Sequence, residues 1–193
     1  MIESVQVRTR RWSRTEYDRL IALGIIQEDE RLELLAGELV LRDRQSPGHA
    51  YAIEALSEAL RHTIGPGSHV RTLGPIALDC ESEPEPDLSV VPGTIRAYRD
   101  DHPSQPTLLV EVADTSLTFD REHKGSLYAR ACLPEYWIVN LVDRVLEVYR
   151  EIGPDAGAPY GWAYRVALML GPDEHVTPLA APSARILVAD FLP

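Results

Sequence analysis

Cysteine is scarce in this chain. Cys80 and Cys132 are the only two, far apart and in no metal-ligand spacing. That excludes a disulfide framework and a zinc finger, and it suits a reducing cytoplasm with two free thiols. No apolar run approaches the roughly 18 residues that a membrane helix needs. The opening segment lacks the apolar core of a signal peptide. Neither GxGxxG nor GxxxxGK occurs, so nucleotide binding has no support. There is no internal repeat and no low-complexity tract. Positive charge is also short: the formal net charge of -11 argues against a broad basic surface, and so against tight nonspecific nucleic-acid binding. It leaves room for a local basic groove. What is present is ordinary: 193 residues, 45% hydrophobic and 25% charged, enough for a single domain over 1–193 with a substantial core.

The organising stretch is Thr107–Ala113, Thr-Leu-Leu-Val-Glu-Val-Ala. Apolar residues on both faces predict a central strand covered on both sides. Glu111 sits in its middle, and a buried carboxylate needs a cation. Around it the chain alternates irregularly. Ser13–Glu16 matches a capping box and opens a helix through about Leu23. Residues 31–35 and 38–41 form a hairpin about Ala36-Gly37. Ser46-Pro47 caps a helix whose stripe is Ile53, Leu56, Leu60 and Ile64. Counting back four from Ile53 puts His49 on the inward face. Two short strands are expected over 69–79, an acidic loop over 81–86, and a strand from Asp87 to Val91. A helix is expected over 120–132 with Asp120 as its N-cap. A hairpin (135–140, 145–149) and short strands at 162–170, 176–179 and 186–188 follow. This order is mixed α/β with strands dominating, without the regular alternation of a doubly wound fold.

Three polar residues need an explanation. Asp87 starts a strand after Pro86, Glu111 lies in the central strand, and Lys124 shares its helix face with Leu127, Tyr128 and Ala131. Inward carboxylates on neighbouring strands beneath an inward lysine would balance one another. They would also hold a hard divalent cation and stabilise a phosphoryl oxygen, the minimum kit for phosphodiester hydrolysis. Blander readings stand beside this. Asp87 caps a turn, Lys124 pairs on the surface with Asp120, and Glu111 meets a structural arginine, Arg121 or Arg130. On the same footing His49 is a satisfied core histidine, Glu33 and Glu38 face solvent on their hairpin, and Tyr136 and Trp137 fill core.

The order Pro86-Asp87, Val110-Glu111-Val112, Asp120-x-x-x-Lys124-x-x-x-Tyr128, Glu135-Tyr-Trp-Ile-Val139 resembles the Uma-type endonuclease family. This is a restriction-endonuclease-like group within the PD-(D/E)XK nuclease superfamily. Upstream, residues 32–40 and Ser46-Pro-x-His49 resemble that family's opening. The resemblance covers about residues 12 to 150. It implies an α/β restriction-endonuclease-like core, a central mixed β-sheet flanked by helices with added β-hairpins, with Asp87 and Glu111 as metal ligands and the Val112 carbonyl as a third. Ala113 stands where the superfamily motif has lysine, and Lys124 on the following helix takes that place. Glu33 and His49 fall at recurrent polar positions near the site. Asn140 departs from an expected aspartate, and Val112-Ala-Asp-Thr-Ser116 departs from the segment many relatives carry.

The expected function is therefore a Mg²⁺- or Mn²⁺-dependent endonuclease acting on DNA, a cytoplasmic hydrolase that works as a homodimer. Arg8, Arg10, Arg11, Arg14, Arg42 and Arg44 are the candidate DNA-facing cations. The alternative is a non-catalytic nucleic-acid or protein interaction module on a nuclease fold. A third class is a hydrolase of a small phosphate substrate. A broad basic groove leading to Asp87 would favour the nuclease, and a closed acidic pocket the third.

Overall fold

The computed structural model describes residues 9–42 and 44–193. Helix α1 (Arg14–Ala22) opens on the expected capping box: Ser13 Oγ accepts the Glu16 N–H at 3.3 Å, and Glu16 Oε2 accepts the Ser13 N–H at 3.0 Å. Strands β1 (Leu32–Leu35) and β2 (Glu38–Leu41) form the expected hairpin. Its turn residues Ala36 and Gly37 both have positive φ, 48° and 81°, which matches the twist of the strands. Gly37 has a second reason to be glycine, since a Cβ there would stand 2.6 Å from Arg11 Cβ. Helix α2 (Pro47–Thr63) is capped by Ser46, whose Oγ accepts the His49 N–H at 3.2 Å. Its buried stripe contains Ile53, Leu56 and Leu60, and Ile64 ends it.

Strands β3 (Ser68–Thr72), β4 (Leu88–Pro92) and β5 (Leu108–Ala113) follow. Helix α3 (Leu117–Phe119) runs without a break through a π-helical turn (Asp120–Lys124) into α4 (Gly125–Arg130). Then come β6 (Glu135–Asn140), β7 (Val145–Pro154), β8 (Trp162–Leu170), β9 (His175–Val176) and β10 (Ile186–Leu187).

Six strands make one sheet in the order β3-β4-β5-β6-β7-β8. Only β5 and β6 are parallel, joined by α3 and α4; every other neighbour is antiparallel. The expected mixed α/β class with a central mixed sheet and flanking helices is what forms. All six residues of β5 are buried. Val110 and Val112, with Trp137 and Val139 of β6, pack beneath the α2 stripe. Leu109 and Ala113, with Tyr136 and Ile138, meet Leu127 and Tyr128 of α4. Fully burying a side chain such as Leu56 contributes roughly 1.5–3 kcal/mol.

Several sequence expectations need correction. The second strand over 69–79 does not form; only an isolated bridge, Asp79 to Ser82, is made there. The backbone of that segment instead bonds outward, Ile76 N–H to Pro84 and Ala77 N–H to Pro103. The acidic 81–86 loop is largely inside the protein, bridged to β1 through Leu34 and Glu83. The helix carrying Lys124 begins at Leu117, so Asp120 is interior and not its N-cap. There the Asp120 carbonyl accepts the N–H of Gly125, five residues on, which makes the turn a π-turn. Strand β9 stops at Val176 and β10 at Leu187, shorter than expected, while β7 runs on to Pro154. No helix among the described residues is long and apolar enough to cross a membrane.

Candidate active site

Asp87 stands one residue before β4, where Leu88 faces Val110 of β5. One further step along the two antiparallel strands sets Asp87 beside Glu111. Both side chains are buried. Asp87 Oδ2 accepts the Val112 N–H at 2.8 Å and lies 3.1 Å from His49 Nε2. Oδ1 lies 3.4 Å from Arg42 Nη2. Burial alone would raise the Asp87 carboxyl. His49, the Val112 amide and Lys124 together outweigh it and hold the group below the usual carboxylate range.

Glu111 Oε1 accepts a hydrogen bond from Tyr128 Oη at 2.7 Å and lies 3.0 Å from Lys124 Nζ. Lys124 Nζ is also 3.2 Å from Glu33 Oε1 and 4.0 Å from Asp120 Oδ1. Glu33 in turn accepts the Glu85 N–H at 3.0 Å, and Asp120 accepts from Ser116 Oγ at 2.5 Å. Burial opposes the lysine's charge, but Glu111, Glu33 and Asp120 overcome it and raise its pKa. Burial pushes Glu111 up to about 8; Lys124 offsets this only in part, while Asp87, Asp120 and Glu33 add to it.

Lys124 is the only lysine in the chain; the other 18 of its 19 basic residues are arginine. A compact ammonium can sit among three carboxylates on one turn of helix where a planar guanidinium would need more room. The π-turn carries Asp120 and Lys124 together, and such turns occur often at functional sites.

Asp87, Glu111 and Lys124 are thus brought together as the sequence predicted. Glu33 and His49 join them, which overturns the solvent-facing reading of Glu33; Glu38 does face solvent. Arg121 and Arg130 do not meet Glu111. Arg121 pairs with Glu147 at 2.5 Å and Arg130 with Asp79 at 2.7 Å. Tyr136 and Trp137 are fully buried core. Arg10, Arg11 and Arg14 pair with Glu16, Glu81 and Glu83. Arg8 lies outside the described residues. Arg42 and Arg44 line the site cavity, of about 290 Å³, together with Arg31.

Sequence reasoning missed three contributors. Tyr128 was read as a member of the apolar stripe and of the family-like motif, four residues from Lys124, without a role at the site. Asp120 was read as a cap and as a surface partner of Lys124. Arg42's contact with Asp87 spans 45 residues and left no local signal. The one compositional signal not used was the solitary lysine.

The donor set fits a hard divalent cation. Counting every group as ionised, Glu33, Asp87, Glu111 and Asp120 carry four negative charges against two on Lys124 and Arg42. Glu85, which also holds Arg42, adds a further carboxylate, so negative charge stays in excess, a condition that a divalent ion relieves. No group of three His, Cys, Asp or Glu among the described residues is spaced to hold a metal by side chains alone. Asp87, Glu111 and a backbone carbonyl would supply three oxygens, and Mg²⁺ ordinarily retains several waters beside one or two carboxylates.

Comparison with known proteins gives a consistent result. The family model Uma2, described as "Putative restriction endonuclease", matches residues 14–178. The fold is similar to the crystal structure of a putative nuclease belonging to DUF820 from Anabaena variabilis ATCC 29413. The TM-score is 0.65 at 14% identity, covering 88% of this chain and 94% of that one. No curated protein matches the chain.

Proposed function

Because the chain belongs to the Uma2 family of restriction-endonuclease-like proteins, we propose that it is a metal-dependent endonuclease hydrolysing DNA phosphodiester bonds. The observation that carries this reading is the buried Asp87–Glu111–Lys124 cluster, in which carboxylates outnumber cations, at the floor of an open cavity. Asp87, Glu111 and the Val112 carbonyl would hold Mg²⁺ or Mn²⁺. Such an ion supplies polarisation of a phosphoryl oxygen and a lowered pKa for water.

The chain's own residues do the rest. The Val112 amide and His49 fix the Asp87 carboxylate, and Tyr128 fixes Glu111. Lys124 stays charged among its carboxylates, so it stabilises negative charge developing on the phosphoryl oxygens and orients the attacking water. It does not act as the base. Glu33 and Asp120 hold the ammonium in place. Arg31 and Arg44 at the cavity wall are suited to flanking phosphates. A second copy of the chain would supply the second site that cutting both strands requires.

The test is calorimetric titration of Mg²⁺ and Mn²⁺ into the wild type, Asp87→Asn and Glu111→Gln, with nicking of supercoiled plasmid measured on the same samples. Metal binding and nicking lost together in both variants, with nicking down about 10³-fold, is the expected result. A wild type that binds no metal, with or without DNA, would sink this reading.

Hydrolysis of a small phosphate ester is a second reading, favoured by one observation. The cavity lining carries five carboxylates (Glu33, Asp87, Glu111, Asp114, Asp120) against four cations (Arg31, Arg42, Arg44, Lys124), not a basic groove. Metal-dependent cleavage of a small phosphodiester without plasmid nicking would favour it.

A further inference from the structure

The wall of the site formed by Arg42 is built more loosely than its floor. Arg42 directly follows β2, and its side chain is 11% exposed. Nη1 lies 2.9 Å from Glu85 Oε2, while Nη2 reaches Asp87 Oδ1 only at 3.4 Å. The grip on Glu85 is the tighter of the two. Beside Arg42 the Gln45 amide nitrogen is buried and has no hydrogen-bond partner among the described residues. Arg42 and Gln45 also line a second cavity, of about 520 Å³, whose wall includes Glu85, Ile21, Ile26 and Leu73. The guanidinium therefore stands between two spaces, and its firmer partner faces the second one.

At Asp87 the two oxygens are not equivalent. Oδ2 is occupied by the Val112 amide and by His49, both fixed by secondary structure. Oδ1 meets only Arg42 among the described residues. A cation arriving at Asp87 has to take Oδ1, and Arg42 stands on it.

We infer that Arg42 is a built-in counter-cation that competes with the divalent ion for Oδ1 of Asp87 and withdraws along its Glu85 contact when the ion binds. This rests on the metal site proposed above. Withdrawal leaves the guanidinium paired with Glu85, so no charge is stranded in the protein. The freed Nη2 then faces the cavity, where a substrate phosphate could take it. Arg42 is on this account a positioning residue: it sets how tightly the ion is held before substrate arrives.

The experiment is Mn²⁺ titration by calorimetry, without DNA, into the wild type, Arg42→Met, Arg44→Met, Glu85→Gln and Glu111→Gln. Arg42→Met should bind Mn²⁺ about tenfold tighter or more, because a unit charge a few ångströms from the ion is removed. Arg44→Met, in the same lining but exposed, should stay within about twofold. Glu85→Gln should weaken binding severalfold, since Arg42 then settles wholly on Asp87. The Glu85 arm keeps the idea testable if Arg42→Met does not fold. Unchanged affinity in Arg42→Met, or equal tightening in Arg44→Met, overturns the competition while Glu111→Gln still reports on the site. Absence of Mn²⁺ binding in the wild type and in Arg42→Met overturns the site and the competition together.

Discussion

The two faces of the six-stranded sheet bury their residues under different rules. The face beneath α2 is mostly apolar: Leu56 and Leu60 lie on Val110, Val112, Trp137 and Val139, with one buried ion pair, Glu135 and Arg150, beside Trp137. Across the same strands, on the face beneath α3 and α4, Leu109 and Ile138 share space with charged groups. Glu111 meets Lys124 there, and Glu147 meets Arg121 and Asn140. Alternate residues of β5 thus face an oil-like layer and an ionic one. The apolar layer needs only volume and complementarity. The ionic layer needs each charge to have its partner, because an uncompensated buried charge costs several kcal/mol. Both layers contribute to stability, the first through packing and the second through the pairing of its charges.

The sharpest way to break this contrast is Lys124→Met. It leaves Glu33, Glu111 and Asp120 facing one another, and should cost about 3–5 kcal/mol as well as activity. Adding Glu111→Gln to that variant should recover part of the stability but none of the activity. Chemical denaturation of the single and double variants checks this; additive losses would contradict the shared cluster.

On the apolar face Leu56→Ala should cost about 3 kcal/mol through the cavity it leaves. Per folded molecule, it should leave metal affinity unchanged. A loss of metal affinity at full folding would show that the two faces are coupled.

Asn140→Asp tests the second ionic group. Asn140 Nδ2 donates to Asp143 at 2.9 Å and to Glu147 at 2.8 Å, while Oδ1 accepts the Asp143 N–H at 2.9 Å. An aspartate would set a third carboxylate against two and lose both donations. About 2 kcal/mol of destabilisation is expected in thermal melts at pH 7, less at pH 5. This also explains the asparagine: the position needs donors.

The smallest effect belongs to Glu83, a buried carboxylate whose cation, Arg14, is no closer than 3.7 Å. Burial is the main cause that pushes it up to about 7 from 4.5. The folded state therefore holds a proton that the unfolded chain releases. Its contribution is full below about pH 4.5 and fades as pH rises to about 7. Glu83→Gln should flatten the fall in Tm over that window by a few degrees, read by melts at pH 4.5, 6 and 7.5; an unchanged slope would assign it to other groups.

Much of this was legible in the chain. The capping box at Ser13, the Ala36-Gly37 turn, the Ser46 cap and the all-apolar flanks of Glu111 are local signals, and each formed the expected element. So did the inward direction of Lys124, because helical period alone carries it. The start of that helix was not legible: Ser116 and Leu117 extend it beyond the apparent cap, and its π-turn is a property of packing. The strand expected after Gly74 was lost because its backbone found partners in the 82–84 loop and at Pro103.

By itself the sequence determined most of the helices and strands, which faces are apolar, and that Lys124 lies on the apolar face of its helix. These depend on neighbours within a turn or a strand, which period and capping encode. Only the tertiary structure decided who meets whom. Glu33 reaches Lys124 across 91 positions and Arg42 reaches Asp87 across 45. Such contacts follow from the order of strands in the sheet and the burial it imposes, and no short stretch of residues contains either.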